Sequence, residues 1–355
     1  MNKIQIKGPK VGLFSDIHIG LGQDSSIWHK NILEFADWVV DFYEKRGISE
    51  ILIPGDIFHN RNEISVNTLS VAQSFFKKFE GFKLYISTGN HDCYYKDRTD
   101  INSISMLGGW DNIVLVDKQP QVFSIFNSDK TLSMIPWGVD IPNIPQSDIC
   151  VGHFEITSFK MNSFKVCDHG WESTDILSKS PFIITGHFHT PCLRNYSKGK
   201  ILYLGSPYQQ NFGDAGDTRG VYILNLLNDE TEFIENNISP THQKILLSSL
   251  LNGEVSTTTL KSIIPNNMVS LVIDSNLEPS KLSLLSAKIQ KLNPKFFRTD
   301  YQNTDQTLNL STSGTSQYDS IDIPQNINDF VEALDILHKN ETCLYLNELY
   351  HKLAI

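Results

Sequence analysis

The sequence predicts an α/β (α+β) fold: a layered sandwich with helices outside, a small α/β cap and a pair of terminal helices. Three observations lead there. Strand-like and helix-like patterns alternate from residue 10 to about 190, strands follow one another directly over 112–135 and 192–235, and the composition changes after 240. At 355 residues the chain is longer than one hydrophobic core usually grows, so a large domain with smaller appendages is expected.

The first run, VGLFSD (11–16), is apolar and ends in turn residues, which reads as a buried strand. Ile27, Ile32, Phe35, Trp38, Val39 and Phe42 then recur at helical spacing until Gly47. ILIPGD (51–56) is a second strand, and Leu69, Ala72, Phe75, Phe76 and Phe79 mark the next helix. KLYISTGNHD (83–92) is a third strand running into a loop, and DICVGH (148–153) and FIITGHFH (182–189) repeat the scheme. β-α-β alternation places helices on the sheet faces and ligands beyond the C-terminal ends of the strands. NIVLV, QVFSIF and TLSMIPW, then LRNYS, KILYLG, GVYILNL and TEFIEN, read as antiparallel additions that make a second sheet.

Residues 1–240 thus form one domain. In the cap, 241–301, MVSLVID (268–274) is a strand, Leu282, Leu285, Ile289 and Leu292 stripe a helix stopped by Pro294, and KFFRTDY (295–301) returns as a strand. Residues 302–320 are polar and rich in Gly, Ser and Thr, a flexible linker. The remaining 321–355 hold two short amphipathic helices, 326–338 and 341–352.

Composition excludes several classes. Forty per cent hydrophobic and twenty per cent charged residues are ordinary for a globular chain. No apolar stretch approaches ~20 residues, so no bilayer span is expected, and the N-terminus lacks a signal-like run. A cytosolic location follows. The five cysteines are odd in number, scattered and without a CxxC pair, which argues against a disulfide framework or zinc ribbon. Net charge is −10, and from residue 301 onward eight acidic side chains face two lysines. Phosphate contacts dominate affinity for DNA, so a DNA enzyme of this charge would leave much of the grip to another subunit.

The chemistry lies in five segments, each just after an expected strand: SDIHIG (15–20), GDIFH (55–59), GNHD (89–92), VGH (151–153) and GHFH (186–189). Singly each is weak. Together they bring His18, His91, His153, His187 and His189 to strand ends on one edge of the expected sheet. An Asp and a His two residues apart can turn onto one ion, as can His187 and His189. Mixed carboxylate and imidazole donors suit Mn²⁺, Fe²⁺ or Zn²⁺, and a pure oxygen set would suit Mg²⁺. Asp56, on a tight Gly turn, could bridge two ions about 3.5–4 Å apart.

The order DxHxG, GD, GNHD, GH, GHxH resembles the signature of the calcineurin-like metallophosphoesterases. The DIHIG start, LYLGSPYQQNFGDAGDTRGVYIL (202–224) and the appended cap look like the SbcD branch, the nuclease partner of an ABC-type coiled-coil ATPase. IPWGVD (135–140), CVGHFEI (150–156), HGWE (169–172) and TGHFHT (185–190) are similar to the T-even phage member of that branch. The resemblance covers residues 10–240 well and the rest in outline.

It implies a four-layer metallophosphoesterase sandwich with two divalent ions, Mn²⁺ foremost and Mg²⁺ as the alternative. By motif, Asp16, His18 and His189 hold the first ion, Asp56 bridges, and Asn90, His153 and His187 hold the second. His91 stabilises the transition state and protonates the leaving oxygen, with Asp92 orienting its ring. The implied activity is DNA hydrolysis, as a 3′–5′ exonuclease and single-strand endonuclease in recombination, repair and replication. The implied partners are DNA, the ATPase docked on the terminal helices, and a second copy of the chain; Ile27, Trp28, Phe75 and Phe76 serve either that dimer or the core. If the chain is phage-encoded, the host cytoplasm is its compartment. A phosphatase or cyclic-nucleotide phosphodiesterase with the same metal core is the alternative.

Some residues keep two readings. His59 and Arg61 occupy a loop where many members carry a proline, and His59 either reaches a phosphate or is solvated. His169 contacts substrate or serves the surface. Lys281, Lys288 and Lys291 share one stripe of the cap helix and either track DNA or face solvent.

Overall fold

The computed structural model describes residues 4–95, 98–161, 165–301, 331 and 338–353. The chain divides into two compact units, Met1–Gln302 and Asn303–Ile355.

The first unit is built on two large sheets. One has six strands in the order β13-β12-β2-β3-β4-β5, where β2 is Lys10–Leu13, β3 Glu50–Pro54, β4 Lys83–Ser87, β5 Ile113–Val116, β12 Gly220–Asn225 and β13 Glu230–Glu235. The other has seven in the order β1-β6-β7-β8-β9-β11-β10, with β1 Gln5–Ile6, β6 Gln121–Ile125, β7 Thr131–Met134, β8 Ile149–His153, β9 Phe182–Gly186, β10 Cys192–Tyr196 and β11 Gly199–Tyr203. Side chains alternate across a strand, and β3 shows the use made of that. Ile51 and Ile53 pack under helices α2 (Ser26–Lys45) and α3 (Val66–Lys78), while Leu52 points into the space between the sheets.

The inter-sheet core gathers Leu13, Leu52, Tyr85, Phe123, Leu132, Val151, Ile184 and Leu202, all at most 2% exposed. A further layer covers the outer face of the seven-stranded sheet with loop side chains and a single helical turn, α4 (Ser173–Ile176). Four layers result.

Two expectations are corrected. β5, β12 and β13, expected among the antiparallel additions of a second sheet, extend the sheet of β2, β3 and β4 instead, and β5 pairs with β4 in parallel. The strands ending in GH and GHFH are β8 and β9, which lie in the seven-stranded sheet and not beside β2, β3 and β4. A strand buried on both faces reads as one apolar run whichever sheet holds it.

Beyond 240 a third sheet of parallel strands, β14-β15-β16 (His242–Leu246, Met268–Ile273, Phe296–Tyr301), carries helices α5 (Leu247–Leu251), α6 (Thr257–Ile263) and α7 (Pro279–Gln290). It has its own core of Ile245, Ile264, Val269, Leu271 and Ile289. It is joined to the larger body through Met268 in the core under α2, through the Trp28–His242 ring stack at 5.9 Å, and through Lys295 Nζ–Glu34 at 3.4 Å. The sequence reading found β15, α7 and β16 but not β14 or α6. Trp28, Phe75 and Phe76 are core residues at 8%, 0% and 0% exposure. Packing within one chain accounts for them.

The second unit contains one described helix, α8 (Lys339–Leu353), over the expected 341–352. The expected linker at 302–320 lies outside the described residues, as does all of the expected helix at 326–338 except Val331 and His338. No described helix is long and apolar enough to cross a membrane.

Candidate metal centre

Each of the five motif segments leaves the C-terminal end of a strand. SDIHIG follows β2, GDIFH follows β3, GNHD follows β4, and the last two end β8 and β9. The ends of β2, β3 and β4 therefore face those of β8 and β9 across the sandwich. Donors from two sheets, not one edge, form the site.

Four of these residues have left-handed backbones: Asp16 (φ 56°), His18 (φ 51°), Asp56 (φ 53°) and His187 (φ 89°). That region is uncommon for residues with a Cβ, and such strain gathers where function over-determines the geometry. Glycine is needed beside them for space. A Cβ on Gly89 would sit 2.2 Å from Asp56 Oδ1, and one on Gly186 would sit 2.3 Å from Ser15 Oγ.

The donors fall into two groups that share Asp56. In the first, His18 Nε2 faces His189 Nε2 at 3.2 Å, His189 Nε2 lies 3.9 Å from Asp16 Oδ1, and His18 Nε2 lies 3.5 Å from Asp56 Oδ2. In the second, Asn90 Oδ1 is 3.0 Å from His153 Nε2 and 2.9 Å from His187 Nδ1, and His153 Nε2 is 3.4 Å from Asp56 Oδ2. The Pro54 carbonyl accepts from His153 Nδ1 at 2.9 Å, which leaves Nε2 turned to the centre.

The chemistry of this set fits divalent cations. Asp16 and Asp56 are 0% and 2% exposed, yet neither forms an ion pair with a lysine or arginine among the described residues. Buried carboxylates call for compensating charge. Burial lowers the His18 imidazole well below its ordinary pKa, with Asp56 opposing and His189, His91 and His59 adding to the fall. Burial likewise lowers His189. Both are then neutral, the form that binds a metal. Burial also disfavours the charged forms of Asp56 and His153, but their mutual attraction prevails. It holds Asp56 well below the carboxylate range and lifts His153 to about 9. A divalent cation there would supply the compensating charge that this attraction reflects.

His91 sits at the rim. Its backbone N–H donates to Asp56 Oδ1 at 2.9 Å, and its Nδ1 donates to the His59 carbonyl at 2.7 Å. Its ring meets that of His18 edge-on at 4.8 Å.

The expectation that Asp92 orients the His91 ring is corrected by these contacts. Asp92 is 1% exposed and its carboxylate accepts from four backbone N–H groups: Asp56 (2.8 Å), Ile57 (3.0 Å), Phe58 (3.1 Å) and Gly89 (2.9 Å). It ties the GD loop to the GNHD loop. Burial and the neighbouring Asp56 push its carboxyl up to about 7, against the pull of those N–H groups.

His59 stacks on His91 with centroids 5.8 Å apart and planes 17° apart, and meets His18 edge-on at 5.4 Å. Half-buried, it walls the site and its carbonyl fixes His91; a solvated loop histidine it is not. Arg61, on the same loop, forms no ion pair among the described residues.

One participant escaped the sequence reading. Glu155 Oε1 lies 3.5 Å from His187 Nε2 and 2.9 Å from His169 Nε2, and His169 Nδ1 reaches Asp168 at 2.9 Å. His169 is thus exposed and held by two carboxylates. The signal available was position: Glu155 stands two residues after His153, hence on the same face of an extended segment. A carboxylate behind an imidazole fixes its tautomer and strengthens it as a ligand. Glu155→Ala is therefore expected to weaken divalent-metal binding at this centre by about 10–100-fold, read by calorimetric titration with Mn²⁺. Unchanged affinity would remove Glu155 from the centre.

A cavity of about 620 Å³ lies beside the cap, lined among others by Trp28, Phe212, His242 and Arg298. None of the metal-donor candidates lines it.

Comparison with known proteins agrees with the geometry. Residues 9–244 match the family described as calcineurin-like phosphoesterase. The chain is 29% identical over 249 residues to "Exonuclease subunit 1" of Enterobacteria phage T4, covering 66% of this chain and 70% of that protein. It is 21% identical over 221 residues to "Putative phosphoesterase 078R" of Invertebrate iridescent virus 3, covering 58% and 61%. Among solved structures, a novel archaeal phosphodiesterase is similar at 13% identity and a TM-score of 0.36, covering 64% of this chain and 99% of that one. A dimetal phosphatase from Danio rerio is similar at 10% identity and a TM-score of 0.40, covering 66% and 96%.

Proposed function

The chain belongs to the calcineurin-like phosphoesterase family of metal-dependent hydrolases, and from that membership we propose that it is a two-metal DNA nuclease, a 3′–5′ exonuclease and single-strand endonuclease. The observation that carries the reading is the position of Asp56 Oδ2, within 3.5 Å of an imidazole from each of two donor groups. Asp16, His18 and His189 would hold one ion and Asn90, His153 and His187 the other, with Asp56 available to both. The mixed nitrogen and oxygen donors favour Mn²⁺ over Mg²⁺.

When bound, the ions supply Lewis acidity that activates a water and offsets charge on the phosphate. The protein does the rest. His91, held through Nδ1 by the His59 carbonyl, presents Nε2 to the leaving 3′-oxygen and gives it a proton. Asp92 keeps the loops of Asp56 and Asn90 in register. His59 and Arg61 line the approach of the phosphate.

The DNA substrate is supported by the T4 relative named an exonuclease subunit and by a cap and second unit that a small-molecule phosphatase has no need of. The proposed division is 1–240 for catalysis, 241–301 for the cap, 302–320 for the linker and 321–355 for docking. The docked partner is an ABC-type coiled-coil ATPase, whose DNA grip offsets this chain's net charge of −10. Homodimerisation, a role in recombination, repair and replication, and a site of action in the host cytoplasm of a phage complete the reading.

The test is digestion of end-labelled linear DNA with Mn²⁺, beside an aryl phosphate monoester, with and without the partner. Mn²⁺-dependent shortening from the 3′ end is the expected result. Hydrolysis of the monoester with DNA intact would make the chain a phosphatase or cyclic-nucleotide phosphodiesterase.

A further inference from the structure

Two tryptophans from motifs that the metal chemistry does not use, IPWGVD and HGWE, meet at one cavity. It measures about 200 Å³ and is lined among others by Trp137, Val139, His153, Phe154, Glu155 and Trp171. Two of those residues, His153 and Glu155, belong to the metal centre or lie directly behind it, so the cavity borders the site. The Trp137 ring lies 5.5 Å from that of His187 with planes 39° apart, and 5.8 Å from that of His153. The Trp171 ring lies 5.3 Å from that of Phe154.

Both tryptophans are half-exposed and both are anchored to loops that carry metal donors. The backbone N–H of Trp137 donates to the backbone and side-chain oxygens of Thr88, each at 3.1 Å, two residues before Asn90. Trp171 N–H donates to the Glu155 carbonyl at 2.8 Å, and Thr157 N–H returns to the Trp171 carbonyl at 2.9 Å. That close approach needs Gly170, whose φ is +91° and whose Cβ would meet the Glu155 carbonyl oxygen at 2.3 Å. The backbones that carry both rings are thus tied to the loops of the metal donors.

A cavity this size is below the ~300–1,000 Å³ of pockets for drug-sized ligands, and suits one planar ring system. Aromatic walls beside a phosphate-cleaving centre fit a base out of its stack, since every base offers a π-face. We propose that this cavity takes the nucleobase of a nucleotide flanking the scissile phosphate. The proposal rests on the nuclease reading and deepens it: the chain acts on unpaired or frayed ends, where a base is free to leave its neighbours. The side chains that hold it, Trp137 and Trp171, are sequence-tolerant.

The experiment is single-turnover cleavage of single-stranded oligonucleotides in Mn²⁺. Each carries either an ordinary base or an abasic sugar at the terminal or the penultimate position. The full chain is expected to cleave the intact substrate about 10–100-fold faster than the abasic one at one of these positions. The ratio should fall towards one in Trp137→Ala and persist in Trp137→Phe. Because a ratio within one enzyme is read, any general loss of activity in a variant cancels, and the wild-type ratio needs no variant at all. Cleavage with ratios near one at both positions would overturn the base site and leave the nuclease reading standing. No cleavage of any oligonucleotide would overturn the nuclease reading, and the base site with it.

Discussion

His91→Ala is expected to keep the metal content of the unaltered chain and to hydrolyse the proposed DNA substrate about 10²–10⁴-fold more slowly, the usual worth of a positioned general acid. The ring touches the centre from outside both donor groups, so its removal takes no ligand from either ion. The backbone N–H that donates to Asp56 Oδ1 survives the substitution. What is lost is the imidazole held by the His59 carbonyl and its proton. Metal content by elemental analysis, set beside single-turnover digestion, separates the two properties. Near-normal turnover would remove His91 from the acid role. Loss of both ions would instead make it part of the scaffold.

Asp92→Ala has an equally large expected effect, on stability. Four backbone N–H groups converge on this one buried carboxylate, and alanine offers them nothing. A buried donor left unsatisfied costs about 1–3 kcal/mol. Relaxation recovers part of the total, so a loss of at least ~3 kcal/mol is expected. The loop bearing Asp56 would drift, and both ions would bind more weakly. Urea unfolding with manganese titration checks this. An unfolding midpoint close to that of the unaltered chain would refute it. Asp92→Asn should fall between, because one carboxamide oxygen can serve some of the donors while its NH₂ group faces others.

The donor set was legible because the first donor of each segment follows a glycine or serine at the end of an apolar run, the signature of a strand ending in a tight loop, and His18 and His189 stand two residues beyond the first donor of theirs. That signature and the family pattern together point to Asp16, His18, Asp56, Asn90, His153, His187 and His189, and the structure brings all seven side chains close to one another. Their origin in two sheets was not legible. Ile149–His153 and Phe182–Gly186 are buried along their whole length, and nothing in such a run says which neighbours it pairs with. The role of Asp92 was hidden for a related reason. Its partners are backbone amides from a loop some thirty-five residues away, and amides leave no trace in side-chain identity. Glu155 lay in plain view beside a motif histidine, but acids on surface loops are common. In the cap, Met268–Ile273 announced itself by its apolar run. His242–Leu246 alternates too weakly, with three of its five residues exposed or half-exposed.

Both donor groups draw on both sheets: Asp16 and His18 from one with His189 from the other, Asn90 from one with His153 and His187 from the other. Each cation would therefore rivet the two halves of the sandwich together as well as serve the chemistry. A ligand that binds only the folded state adds RT ln(1 + [L]/Kd) to stability, and here that increment falls on the seam between the sheets. Chelation would loosen the molecule along that seam first. On the two-metal reading, the catalytic ions would be the structural staples as well.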